Sequence, residues 1–433
     1  MFRPIAAGWF VGVLICLPAS LLAEDPKAWV EDNLASLTKL YRHFHTNPEL
    51  SFHETETAAR LAAEWQAAGA EVTTSVGGTG VVGMIKNGNG PTLMLRTDMD
   101  ALPVSEQTGL DFASRVKVKG DSGAETDVMH ACGHDVHMTN LVGVARYLAA
   151  NKSRWRGTVM LIGQPAEERG AGAKAMLDDG LFTRFPKPDF ALALHVDSSL
   201  ATGHIGYRPG YSLANVDSVD VTVRGSGGHG AYPHTTIDPI VQAAQLVLSL
   251  QTIVSREVKP IEPAVITVGS IHGGTKHNVI GNSCHLQITV RSYSSDVRRQ
   301  LLDGIRRRAK AVAIGAGAQE PIINVSEGTP SLFNDEKLAA RLVPVFQNVV
   351  GSSNVVRAEA SMGGEDFSRY GQAGVPVLMY RLGSVRAERL AGYSQNGQPP
   401  PSLHSAIYYP DIEPTLVTGV STLSTAVLEL LKP

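Results

Sequence analysis

The chain has 433 residues, 43% of them hydrophobic and 18% charged, with a formal net charge of −3. That is an ordinary globular composition, long enough for two or three domains. The near balance of charge gives no support to a nucleic-acid or acidic-polymer partner, and no internal repeat or long biased tract interrupts the chain.

At the N-terminus, Arg3 precedes an uncharged run from Pro4 to Ala23 that Glu24 ends. Gly8, Gly12 and Pro18 break the run, so residues 1–23 read as an export signal cleaved near Ala23 rather than as a retained anchor. A lipoprotein signal would want a small residue before Cys16, which Ile15 is not. The mature protein is then expected to be periplasmic or secreted, with no stable membrane association. Cys132 and Cys284 remain after cleavage, and an oxidising compartment invites a bridge between them. Cys132 sits among histidines, where a thiolate has better use as a ligand, so no bridge is expected.

Helices are expected over 32–47 and 53–69, the second starting with acidic residues and stopping at Gly69. Three apolar runs follow: GPTLMLRTDMD, GTVMLIGQPAEE and PDFALALHVD. Uniformly apolar runs between helical patterns suggest buried parallel strands of an α/β sheet. Each run gives way to ionisable groups: Asp98 and Asp100, Glu167 and Glu168, His195 and Asp197. Ligands of open α/β sheets bind beyond the carboxyl ends of the strands, so these groups are expected at one edge.

From about Val216 the texture changes. VDSVDVTVRG alternates as a half-exposed strand does, residues 238–257 form an amphipathic helix, and AVITVGSIHGG and SCHLQITVRSY are further strands before a helix from Ser294. This order fits a small α+β sandwich with helices on one sheet face. Residues 213–325 are read as a second domain inserted into a catalytic domain built from 24–212 and 326–433. GVPVLMYRLG, 374–383, would be a late strand of the catalytic sheet.

MHACGHDVHM, 129–138, crowds thiolate, imidazole and carboxylate into ten positions. Zinc and its neighbours take all three. Cys132 and His134 flank Gly133, and Glu168, His195 and His404 supply further candidates. Five ligands exceed what one tetrahedral ion holding a water needs, so two divalent ions fit better, as Zn, Mn, Co or Ni. Glu167, beside Glu168, is the candidate base for a water shared by the ions. Asp98 and Asp135 are expected to orient ligand imidazoles from behind. His130 and His137 are read as structural. Ser226 lacks the context of a hydrolase elbow, and no phosphate loop or dinucleotide fingerprint is present.

The ordered stretches RTDMDALPV, MHACGHDVHM, GQPAEERGAGAKAMLDDGLF, GGHGAYPHTTIDPI, GGTKHNVIG, SMGGEDF and SLHSAIYYPD resemble those of M20 metallopeptidases. They are most similar to the amidohydrolase branch, which includes hippurate hydrolases, N-acyl-amino-acid amidohydrolases and plant auxin-conjugate hydrolases. The resemblance runs from Leu34 to the C-terminus. It implies a zinc-exopeptidase-type α/β domain with a mixed, largely parallel sheet and an inserted lid often used to form a homodimer. By motif, Cys132, His134, Glu168, His195 and His404 match the family's metal ligands and Glu167 its base. Arg96 stands where the peptidase branches have a metal-binding histidine. His229 matches the histidine that polarises the scissile carbonyl, from its own chain or a partner's, while Asn278 and Arg291 are candidates for gripping a substrate carboxylate. The implied reaction is hydrolysis of the amide bond of an N-acyl amino acid or related conjugate. The alternatives are an exported dipeptidase or carboxypeptidase, or a metal- or solute-binding protein without turnover. Residues 114–128 and 385–402 depart from the family pattern, the second as an extended loop beside His404.

Overall fold

The computed structural model describes residues 25–120, 123–326 and 328–433. The expected export signal at 1–23 lies outside the described residues. Among them, no helix is long and apolar enough to cross a membrane.

The first helix spans Pro26–Thr46, starting six residues ahead of the expected 32, because Asp25 accepts from Lys27 N and Pro26 suits the first turn. The second spans Thr55–Ala67. The main sheet has eight strands. In spatial order they are Glu71–Val76, Gly80–Asn87, Gly157–Gln164, Thr92–Asp98, Phe190–Ala201, Val377–Val385, Ile205–Tyr207 and Val355–Arg357. The four central strands, from Gly157–Gln164 to Val377–Val385, run parallel, and antiparallel pairings flank them.

These central runs are uniformly apolar because both sheet faces are covered. Leu93 and Leu95, with Val159 and Leu161, pack under the helices Pro26–Thr46, Thr55–Ala67, His134–Ala150 and Ile412–Leu430, beside Phe44, Trp65 and Leu423. The intervening Met94, Met160 and Ile162 join Met176, Phe367 and Tyr370 on the opposite face. Each such side chain contributes roughly 1.5–3 kcal/mol on burial. GVPVLMYRLG becomes the Val377–Val385 strand, in parallel register with Phe190–Ala201.

One expectation needs correction. His195 and Asp197 do not end their strand, which continues to Ala201 because its backbone keeps pairing with Val377–Val385 after the side chains turn polar. Side-chain polarity marked the rim of the core, not the end of the ladder.

The inserted unit has a four-stranded antiparallel sheet, ordered Ala264–Gly273, Ser283–Ser292, Asn215–Arg224, Ile322–Ser326. Helices Pro239–Arg256 and Ser295–Gly315 start at Asp238 and Ser294, whose side chains accept backbone N–H groups. They cover one face, burying Val219, Val221, Leu286 and Ile288 against Leu246, Leu250, Leu301 and Ile305. Alternate residues such as Ser218 and Arg291 face the main cleft. Two family departures also take shape. Residues 114–128 contain the hairpin Lys117–Lys119 with Glu125–Asp127, and 385–402 carry a helix, Ala387–Gln395, where an extended loop was expected. Cys132 and Cys284 are unbridged.

Candidate active site

Cys132 and His134 meet the site through a backbone that requires glycine between them. Gly133 has φ +77°, and a Cβ there would lie 2.6 Å from Val196 Cγ2. Gly133→Ala should cost about 2 kcal/mol or more in backbone strain and clash, and should displace both donors. Bound metal per chain, measured beside the melting curve, should fall far more than helicity does. Full metal content in a well-folded variant would refute this.

His134 opens the His134–Ala150 helix and is fully buried. Its Nδ1 donates to the Asp100 carbonyl oxygen at 2.7 Å, which leaves Nε2 with a lone pair. Nε2 stands 3.6 Å from Asp98 Oδ2 and 3.9 Å from both Glu167 Oε2 and Glu168 Oε1. His195 repeats the device: Nδ1 donates to Val196 O at 2.9 Å, and Nε2 lies 3.6 Å from Cys132 Sγ. His404 arrives from the C-terminal segment with φ +67°, its N–H bound to Ala131 O at 2.9 Å. Its Nε2 lies 3.3 Å from Cys132 Sγ and 3.5 Å from Glu168 Oε2. Five expected ligands from four chain segments thus converge.

Do these residues suit a cation? His134 Nε2 and Glu168 Oε1 are buried without any hydrogen-bond partner, a condition that costs roughly 1–3 kcal/mol for each such group. Cys132, His134 and Glu168 present donor atoms within 4.8 Å of one another. Thiolate, imidazole and carboxylate around two orphaned acceptors form a divalent-metal donor set. They fit.

Glu167 and Glu168 sit in a short turn, Glu167–Arg169, after the Gly157–Gln164 strand. Asp100 builds that turn: its Oδ1 and Oδ2 accept from Glu167 N and Glu168 N, each at 3.1 Å, while Ser51 Oγ donates to Oδ2 at 2.6 Å. Glu54 accepts from Ala166 N at 2.8 Å. Sequence reasoning noted Asp100 at a strand end and gave it no role, and it missed Glu54. Burial raises the proton affinity of Glu167 well above the carboxylate range, reinforced by the charges of Glu365 and Glu168. Burial likewise pushes Glu168 up to about 7.

Behind the candidate donors lies a buried ionic network. Arg96 Nη1 donates to Asp98 Oδ2 at 2.6 Å; Nη2 donates to Glu365 Oε1 at 2.8 Å and Asp366 Oδ1 at 3.2 Å; Nε donates to Gln164 Oε1 at 3.1 Å. Glu365 and Asp366 belong to SMGGEDF, but an acidic pair in a loop carries no signal until its arginine, about 270 positions away, is seen. Against expectation, Asp98 hydrogen-bonds no expected ligand: its other oxygen meets His137 Nδ1 at 2.7 Å, because backbone carbonyls already take the Nδ1 groups of His134 and His195. His137 Nε2 accepts from Val196 N at 2.9 Å. Both His137 nitrogens are occupied, as a structural histidine's would be. His130 is buried, and burial lowers it to about 4.

Asp135 requires a correction. It orients no expected ligand; its Oδ2 lies 2.7 Å from His45 Nδ1, whose Nε2 meets Glu106 Oε1 at 3.1 Å. Burial opposes the charge on His45, but the two carboxylates outweigh it and lift the ring to about 9. In a helix the side chain after His134 must point away from it, so Asp135 looks toward the Pro26–Thr46 helix.

The cleft over the donors has a volume of about 700 Å³ and is lined by Cys132, Glu167, Glu168, His195, His404 and, from the inserted unit, Arg291. His229 and Asn278 do not line it. They are exposed neighbours in the inserted unit, where Gly228–His229 pairs with Val279–Ile280 and Gly230 N donates to Asn278 O.

The sequence pattern of peptidase family M20/M25/M40 matches residues 94–396. Thermostable carboxypeptidase 2 of Saccharolobus solfataricus is 37% identical over 367 residues, covering 84% of this chain and 89% of that protein. N-acetyl-L-cysteine deacetylase of Bacillus subtilis is 37% identical over 346 residues, covering 78% and 79%. Among solved structures, a dinuclear metal-binding M20 peptidase of Bacillus subtilis superposes with a TM-score of 0.75 at 29% identity, over 93% of this chain and 99% of that one.

Proposed function

The chain belongs to peptidase family M20/M25/M40 and is a metal-dependent hydrolase of amide bonds, and from that premise we propose that its substrates are N-acyl amino acids or related amide conjugates. The observation that carries the reading is the convergence of Cys132, His134, Glu168, His195 and His404, with two orphaned buried acceptors, beside Glu167. These five residues would hold two divalent ions, which supply a polarised carbonyl and an acidified water. Glu167 takes the proton of the attacking water as the C–O bond forms. It returns that proton to the amide nitrogen as the C–N bond breaks. Arg291 holds the substrate carboxylate from the roof of the cleft.

His229 and Asn278, outside the cleft of their own chain, act in this proposal on the cleft of a second copy. Ile240, Val241 and Leu248 of one lid helix and Ile271 of the edge strand are exposed, and an unpaired apolar edge is a pairing surface. A dimeric mass in solution is expected, and mixing His229→Ala with Glu167→Gln chains should restore activity that neither has alone. A monomer with full activity would refute this. Export of the chain through residues 1–23 belongs to the same reading; a mature N-terminus at Glu24 supports it, and full-length protein retained in the cytosol contradicts it.

The deciding experiment assays N-acetyl and N-benzoyl amino acids against free dipeptides, on protein reconstituted with Zn, Mn, Co or Ni in turn. Faster release from the acylated substrates is expected. The carboxypeptidase name carried by the Saccharolobus relative favours a second reading, which faster dipeptide cleavage would establish instead.

A further inference from the structure

One wall of the cleft is not used by the hydrolytic chemistry. Arg381 stands opposite His195 in parallel register, and register partners on adjacent strands present their side chains to the same sheet face. It lines the same cavity as the metal donors. It is the one charged residue in VLMYRLGSV, and its side chain keeps 30% exposure. Gly206 on its other flank leaves room, since a Cβ there would come 3.2 Å from Arg381 Cβ.

Its partners only half-occupy it. Nη1 donates to Asp197 Oδ2 at 3.2 Å and Nη2 to Glu359 O at 3.4 Å, both long, leaving most of the five guanidinium donors for a ligand. Asp197 is also held by Ser199, whose N and Oγ donate to Oδ1 at 2.9 and 2.6 Å. Arg291 reaches the same loop from the inserted unit, with Nη1 donating to Met362 O at 3.2 Å. The two guanidinium groups are anchored on carbonyls three residues apart, a stretch of chain that spans at most about 10 Å. Two half-buried cations so placed suit a ligand with two carboxylates.

We propose that Arg291 and Arg381 form a dicarboxylate subsite and that the preferred substrates are N-acyl derivatives of aspartate or glutamate. Arg291 takes the α-carboxylate and Arg381 the side-chain carboxylate. The inference rests on the N-acyl-amino-acid reading above, so its test separates the two. Metal-loaded wild type, Arg381→Met and Arg381→Lys are assayed on N-acetyl-aspartate, N-acetyl-glutamate and N-acetyl-leucine. Calorimetry measures N-acetyl-aspartate binding to Glu167→Gln protein with and without Arg381→Met.

In Arg381→Met, kcat/KM on the acidic substrates should fall on the order of 10- to 100-fold, the weight of a hydrogen bond between charged groups, chiefly through KM. The leucine substrate should be left nearly unchanged, and lysine should rescue part of the loss. Equal losses on all three substrates, or a wild type that prefers leucine, would overturn the subsite. If wild type hydrolyses no N-acyl amino acid, the substrate reading falls. Arg381-dependent binding of N-acetyl-aspartate then supports the subsite alone, and Arg381-independent binding overturns it.

Discussion

Glu167→Gln should lower kcat about 10³-fold, within the usual range for losing a positioned general base, while metal content stays at the wild-type level. Glutamine has the shape of glutamate and keeps a carbonyl toward the cleft, but it cannot accept and return a proton. The stability of the variant sharpens the test. Glu167 is buried beside Glu168 and Glu365, and both raise its proton affinity. Neutralising one member of a crowded group of carboxylates relieves repulsion, so the melting midpoint should hold or rise. Steady-state rates on an N-acyl amino acid, metal analysis and a thermal melt check the three parts. A rate within tenfold of wild type would remove Glu167 from the proton path.

Arg96→Met should be strongly destabilising. The guanidinium is buried and meets Asp98, Glu365 and Asp366, all buried as well. Removing the cation takes away the ion pairs of Glu365 and Asp366 and one of the basic neighbours of Asp98, which keeps His134 and His137. Breaking such buried ion pairs costs about 3–5 kcal/mol. At about 2.1 cal/mol/K of unfolding entropy per residue, a chain of 433 residues shifts by only about 1 °C per kcal/mol, so the melting midpoint should drop by about 3–5 °C. Arg96→Lys keeps the charge but not the fork that reaches three acids, so it should fall between. A methionine variant melting within about 2 °C of wild type would show that the network is not held by its cation.

The parallel core was legible because a strand buried on both faces reads as an unbroken apolar run, and Met94, Met160 and Ile162 alternate with Leu93, Leu95 and Leu161 between its two faces. Helix starts were legible where a cap announced them, at Asp238 and Ser294, and misplaced at Asp25, where the expectation began six residues late. The extent of Phe190–Ala201 was not legible, since its last residues pair by backbone after their side chains turn polar. Of the site, the residues that converge, Cys132, His134, Glu168, His195 and His404, were nameable as candidate donors from residue type and motif. Their supports were not. Asp100 capping the Glu167 turn, Arg96 gripping Glu365 and Asp366, and Asp135 turning to His45 are contacts between ordinary charged residues far apart in the chain.

The sequence by itself determined which chemistry the chain can do, because thiolate, imidazole and paired carboxylates are properties of residue type and their local order survives any folding. Only the tertiary structure decided which charges face one another, which ring nitrogen is left free, and that Arg291 enters the cleft while His229 and Asn278 stay outside it. Those outcomes depend on strand register and helix phase, where a shift of one residue turns a side chain to the opposite face.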